Sequence, residues 1–407
     1  MESVYKFIME NWKNTLVTKH EDEGTLIGLP YTYNVACIKK DEMFREIYYW
    51  GTYFTNTGLI LCNNVAQAKN NVDNFLYLVK KYGFVPNGNR TFFLNRSQPP
   101  FLSEMVKDIF NNTNDLEWLK TAFDVLKIEY DFWQTKRITP SGLNRYFGDI
   151  LNKDECVKDI CERYCVAEPT DEKSRNLLAE TFISGAESGW DFSSRYGLAA
   201  ADCNFVDLNS LLYGFEKNME YFAEKLNLDE ITFWEERAEK RKELMNKLMF
   251  NNNILAFNDY NFKNKTKRDF ISCAVFYPLF TKLATQEQAN TTVKLLEEIE
   301  FDFGVAATAN YEDIKHLQWD FPHAWPPLQL IIMRGLLNYR FVKDAKRIAQ
   351  KYINAVDESF IKTNKLWEKY NACDGSVSIT KEYATPAMMG WTAAIYLFSK
   401  NLIESKD

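Results

Sequence analysis

The chain has 407 residues, 15% of them aromatic, and a formal net charge of −7. That length suits one large domain or two ordinary ones, and the acidic balance argues against nucleic acid as partner, because phosphate binding needs a basic face. Eight cysteines form no CxxC pair and only three histidines are present, so zinc-ligand spacing is not met, the cysteines read as reduced thiols, and no metal or other cofactor is expected.

"MESVYKFIMENWK" opens with mixed charges and no apolar core, which is not the pattern of a secretion signal. Helical periodicity then dominates. In 65–82, Val65, Ala68, Val72, Phe75, Leu76, Val79 and Tyr82 form one stripe and Gly83 is a stop. "RTFFL" (90–94) is the best strand pattern. In 114–135, Asn114 is a candidate cap for a face of Leu116, Leu119, Phe123, Leu126, Tyr130 and Trp133. Asp207 and Asp229 each precede a long helical run. "FISCAVFYPLF" (270–280) is apolar but too short to span a bilayer. Pro326 and Pro327 suit the first turn of another helix, and 343–369 and 391–403 complete the set. The reading is an all-α, soluble, cytoplasmic protein with no membrane partner. Helical pairs with loops at one end suit a toroid of hairpins better than a four-helix bundle.

The loops 83–100, 184–197, 304–327 and 371–390 hold the unusual chemistry. They combine amides, guanidinia and carboxylates with Trp and Tyr: Asn87, Asn89, Arg90, Arg96 and Gln98; Glu187, Trp190, Asp191 and Arg195; Gln318, Trp319, Asp320, His323 and Trp325; Trp367, Glu368, Glu382 and Trp391. Rings that cover C–H faces and planar forks that take hydroxyls suit a small sugar. With no metal set and no Ser-His-Asp spacing, two-carboxylate glycoside hydrolysis is the chemistry available. Each residue also has a plainer reading. Asp191 of "SGWDFSSR" could cap a turn over Ser193 and Ser194, or Trp190 and Phe192 could wall it in and raise its proton affinity. Glu368 could be a solvated carboxylate paired with Lys369 or Lys365, His323 a structural histidine, and Trp319 and Trp325 core.

At these residues the chain resembles the trehalases, inverting glycoside hydrolases. "FREIYYWGTYF" (44–54), "PNGNRTFFLNRSQPP" (86–100), "AESGWDFSSR" (186–195), "QWDFPHAWPPLQ" (318–329) and "EKYN" (368–371) follow in the family's order. The resemblance implies a single (α/α)6 toroid catalytic domain over 1–407, with Asp191 as general acid and Glu368 as general base. It places Phe44, Tyr48, Trp50, Asn87, Arg96, Ser97, Gln98 and Gly189 on the sugar, and Gln318, Trp319, Asp320, Trp325 and Glu382 in signature loops that help bind it. The implied activity is hydrolysis of α,α-trehalose, the alternatives being another small α-glycoside or a sugar-binding protein without turnover. The chain departs from the family pattern at Met43, where an Arg is expected, and at Gly51, where an Asp is expected. The family's Arg-Pro-Glu-Ser is missing near "NKDECVKD" (152–159), and the glycine-rich loop before Glu382 is thinned to "CDGSVSITK".

Overall fold

The computed structural model describes residues 3–38, 44–377 and 390–405. Helices α1 to α9 are Val4–Asn11, Tyr49–Leu61, Val65–Tyr82, Leu102–Thr113, Leu116–Lys136, Lys153–Tyr164, Glu172–Ser188, Val206–Leu226 and Ile231–Leu248. Three short ones follow, α10 (Tyr277–Phe280), α11 (Gln286–Thr292) and α12 (Leu296–Ile299). The last are α13 (Pro326–Asn338), α14 (Val342–Thr363) and α15 (Gly390–Glu404).

Burial sorts these helices into two layers. Ten of the thirteen residues of α2 are buried, and ten of the thirteen of α13; helices covered on all sides belong inside. By contrast α3, α5, α9 and α14 bury one stripe and show a charged face to water. The inner helices close a ring: α2 packs on α4, α4 on α8, α8 on α10, α10 on α13, α13 on α15, and α15 on α2. Outside it, α3 and α5 cover α2, α4 and α8, α9 covers α8, and α14 covers α13 and α15. This is the toroid of helical hairpins. Its closing contact needs Gly58, because a Cβ there would lie 2.6 Å from Ala394 Cα. The α6–α7 hairpin forms a separate small cluster of Cys156, Val157, Ile160, Cys161, Leu178 and Ala179.

Local chemistry sets the ends of the elements. Gly83 takes φ +84° after α3, as a stop should. Asn114 does not cap α5; it is the left-handed end of α4, and Asp115 caps α5 by accepting from Trp118 N at 3.0 Å. "RTFFL" is not a strand: after Arg90, which bridges Leu26, and a bond from Thr91 N–H to Thr25 O, Thr91–Phe93 forms a 3-10 turn whose Phe93 N–H bonds back to Arg90 O. The helix expected over 343–369 stops at Thr363, where Asn364 turns left-handed (φ +52°). The strands are two-residue ladders; one, His323–Ala324 against Tyr370–Asn371, ties two of the site loops together. None of the eight cysteines, all among the described residues, is in a disulfide.

Candidate active site

The Asp191 loop leaves the end of α7 through Gly189, whose φ is +72° and whose hydrogen faces Trp50; a Cβ would lie 2.9 Å from Trp50 Cε2. Trp190 turns into the core beside Trp319, with the Arg195 guanidinium 4.7 Å from its ring. Phe192 sits at φ +144°, which side-chain-bearing residues rarely adopt. Both of its backbone groups are bonded, N–H to Trp190 O at 2.6 Å and C=O from Trp319 N at 3.1 Å. Its ring lies between Phe182 and the Arg163 guanidinium. The cap over Ser193 and Ser194 exists, but Asp320 supplies it: it accepts from Ser193 Oγ at 2.8 Å, Ser194 N at 3.0 Å and Leu317 N at 2.9 Å.

Asp191 itself accepts no hydrogen bond among the described residues, and it lines the cavity. Burial therefore dominates its titration and pushes the carboxyl up to about 6, with Glu368 adding to the rise and Arg96 and Arg163 opposing it.

Beneath this loop lies a buried polar frame. Glu187 takes both Arg137 bonds at 2.8 Å, and accepts from Ser97 N at 2.8 Å and Phe147 N at 2.7 Å. Arg195 pairs with Asp259 at 2.7 Å and with Asp207, all three fully buried.

Glu368 follows α14 on a loop fixed from three sides. Thr392 Oγ1 donates to Trp367 O at 2.6 Å, Trp391 Nε1 donates to Glu368 O at 3.0 Å, and the 370–371 ladder holds the far side. Glu368 is buried, 4% exposed, so the solvated reading does not hold. Among the described residues it pairs with Lys369, whose Nζ lies 2.7 Å from Oε2.

Asp191 and Glu368 line one cavity of about 320 Å³. Trp50, Trp319, Trp325 and Trp391 form its aromatic wall, with Phe44, Tyr48 and Phe93 nearby. Trp319 stacks on Trp325 at 3.8 Å with planes 2° apart. Asn87, Arg96, Gln98 and Gln318 bring planar polar groups to it, and Gly189 lines it as well. Arg96 Nε is buried without a partner among the described residues, a donor that calls for an oxygen from elsewhere.

A family model described as Trehalase matches residues 17–403. The chain belongs to the trehalase family. The periplasmic trehalase of Xanthomonas axonopodis pv. citri (strain 306) is 30% identical across 94% of this chain and 70% of its own length. The trehalase of Apis mellifera is 28% identical across 98% and 67%. Among solved structures, neutral trehalase Nth1 from Saccharomyces cerevisiae superposes with a TM-score of 0.77 at 27% identity, covering 92% of this chain and 74% of the other. A GH63 mannosylglycerate hydrolase from Thermus thermophilus matches with a TM-score of 0.68 at 13% identity, over 98% of this chain and 100% of that one, and shares the fold.

Within the trehalase frame several expectations change. Ser97 and Asp320 do not line the cavity. Ser97 Oγ donates to Val85 O at 2.6 Å, and every bond of Asp320 goes to the loops around it, so both shape the site from behind. His323 is also off the lining, and burial, with Lys369 nearby, lowers its pKa to about 3. Met43 and Glu382 lie outside the described residues. Sequence reading missed Asn34, Thr52 and Thr55 on the cavity; Thr52 and Thr55 follow Trp50 by two and five positions on α2, and that spacing could have suggested them. A cytoplasmic location does not stand. Relatives from Xanthomonas and Salmonella at 30% identity are named periplasmic trehalases, and the lack of an apolar core in 1–13 carries no information on compartment. No helix among the described residues is long and apolar enough to cross a membrane.

Proposed function

We propose that this chain is one catalytic unit that hydrolyses α,α-trehalose to two glucose molecules with inversion. Asp191 donates its proton to the glycosidic oxygen as that bond breaks. Glu368 takes a proton from the water that attacks the anomeric carbon from the opposite face. One glucose leaves with its configuration retained and the other is inverted. Phe44, Tyr48 and the Trp wall cover the sugar's C–H faces, and Asn87, Arg96, Gln98 and Gln318 take its hydroxyls.

The observation that carries this reading is the pair of carboxylates on one aromatic cavity in opposite surroundings: Asp191 desolvated and pushed up to about 6, Glu368 beside a buried ammonium. An acid must hold its proton, which the desolvation of Asp191 favours, and a base needs a group that can lie beside a cation, which Glu368 does. Proton NMR of the first turnovers tests it. Equal α- and β-glucose before mutarotation is expected; α-glucose alone would mean retention, and no glucose from trehalose would end the reading.

A further inference from the structure

Lys369 belongs to none of the roles above, yet it stands against the site. It is fully buried, its ammonium 2.7 Å from Glu368 Oε2 and 4.5 Å from the ring centre of Trp325, which lines the cavity. Lysine is almost never fully buried unless paired, and desolvating an ammonium is costly. An apolar chain of the same length would cover Trp325 without that cost, so packing alone does not account for a charge here. Glu368 has its own need. A buried carboxylate facing a second one across a cavity is driven toward its protonated form, in which it cannot act as a base.

We propose that Lys369 is a positioning residue for hydrolysis, holding one oxygen of Glu368 and compensating its buried negative charge so that the carboxylate stays ionised and aimed at the attacking water. This rests on Glu368 being the base. The groups around the pair support it. Asp191 lies across the cavity and carries the opposing negative charge when ionised, with Arg96 and Arg163 acting on Asp191. His323, on the strand beside 370–371, is held neutral and adds no charge. Trp391 Nε1 is spent on the Glu368 carbonyl.

The test compares kcat and KM on trehalose across pH for the wild-type chain, Lys369→Met and Lys369→Arg, together with Glu368→Gln and the double variant Glu368→Gln/Lys369→Met. In Lys369→Met, kcat should fall by about 10²-fold with KM within roughly threefold. The acidic limb of its profile should move up by about one pH unit or more, since an opposite charge at contact shifts a carboxyl by about 1–3 units. Lys369→Arg should restore the limb and most of kcat. The double variant should be no less active than Glu368→Gln alone. An unmoved acidic limb, or a loss confined to KM, overturns the proposal. Should Lys369→Met fail to fold, the double variant decides: folding is expected once the uncompensated carboxylate is gone, and failure makes Lys369 a packing residue. Full activity in Glu368→Gln would instead remove the base assignment itself.

Discussion

The 189–195 loop gives Asp191 no hydrogen-bonding partner among the described residues, whereas the 366–371 loop sets a buried lysine 2.7 Å from Glu368. The supports are distributed in reverse. Around Asp191, the backbone and the serines are held tightly, by Asp320 and by the bonds on Phe192, while the carboxyl has no hydrogen-bonding partner among the described residues. Around Glu368, the carboxyl itself is gripped. Two identical functional groups thus acquire opposite duties from what the fold denies one and supplies to the other. A proton donor needs a fixed backbone and an unpaired side chain; a base needs a countercharge.

The comparison breaks most directly at the carboxylates. Asp191→Asn and Glu368→Gln should each lower kcat on trehalose by about 10²–10⁴-fold, the usual worth of general acid–base catalysis. Retention of more than roughly a tenth of the activity by either would remove that residue from its role. The next largest effect should come from Asp320→Asn, which weakens the grip on Ser193 and Ser194. Misplacement by about 1 Å costs up to about 10²-fold, so kcat should fall about 10- to 100-fold with KM little changed. A rise in KM with kcat intact would return Asp320 to the sugar pocket.

The pH dependence sharpens the acid side. Asp191 works protonated, so kcat/KM should fall as the pH rises through about 6. The same shift acts on stability. Because folding favours the protonated carboxyl, its stabilising contribution is complete below the ordinary carboxylate range and is lost as the pH rises through about 6. One pKa unit corresponds to about 1.4 kcal/mol, and the opening to the cavity discounts the full shift. Asp191→Asn should therefore be more stable than wild type by on the order of 1–3 kcal/mol at pH 8, and nearly equal to it at pH 4, in paired urea titrations. Equal stability at both values would show that the acid is not strained by burial.

The smallest effect concerns Gly51. A Cβ there meets nothing closer than 3.9 Å, at Trp391, so a carboxylate can stand on this wall without rebuilding it. A charged hydrogen bond contributes about 1.5–3 kcal/mol, and Gly51→Asp should lower KM for trehalose by about tenfold or more. A loss of activity would indicate a pocket already shaped for a different small α-glycoside.

Much of this was legible in the sequence. The 65–82 stripe and its Gly83 stop follow from local periodicity, and the loops that converge on the cavity stand out by composition. The limits appear at pairs the pattern cannot separate. Trp190-Asp191 and Trp319-Asp320 are the same dipeptide, but one aspartate faces the cavity and the other caps a loop, depending on which backbone N–H groups arrive nearby from more than a hundred residues away. Ser97 and Gln98 are neighbours; one points back into the frame and the other lines the cavity. Lys369 was legible as a partner for Glu368, but not as a buried one, because burial depends on how Trp325 and α15 close over it. The order of helices around the ring has the same origin, since its contacts join segments far apart in the chain.

The seam between α2 and α15 has a consequence for how the molecule is made. The ring shuts only when Gly390–Glu404 lies against Tyr49–Leu61, and nothing nearer in sequence substitutes for it. Synthesis adds about 5–20 residues per second, so α2 emerges tens of seconds before the helix that covers it. During that interval the face of α2 that α15 covers is exposed, although α3 and α4 can already pack on the others, and the cavity wall that depends on Trp50 and Trp391 does not exist. Contacts of such long range also slow folding. The growing chain thus carries an uncovered apolar face until α15 arrives, and the cavity that needs both Trp50 and Trp391 is complete only then.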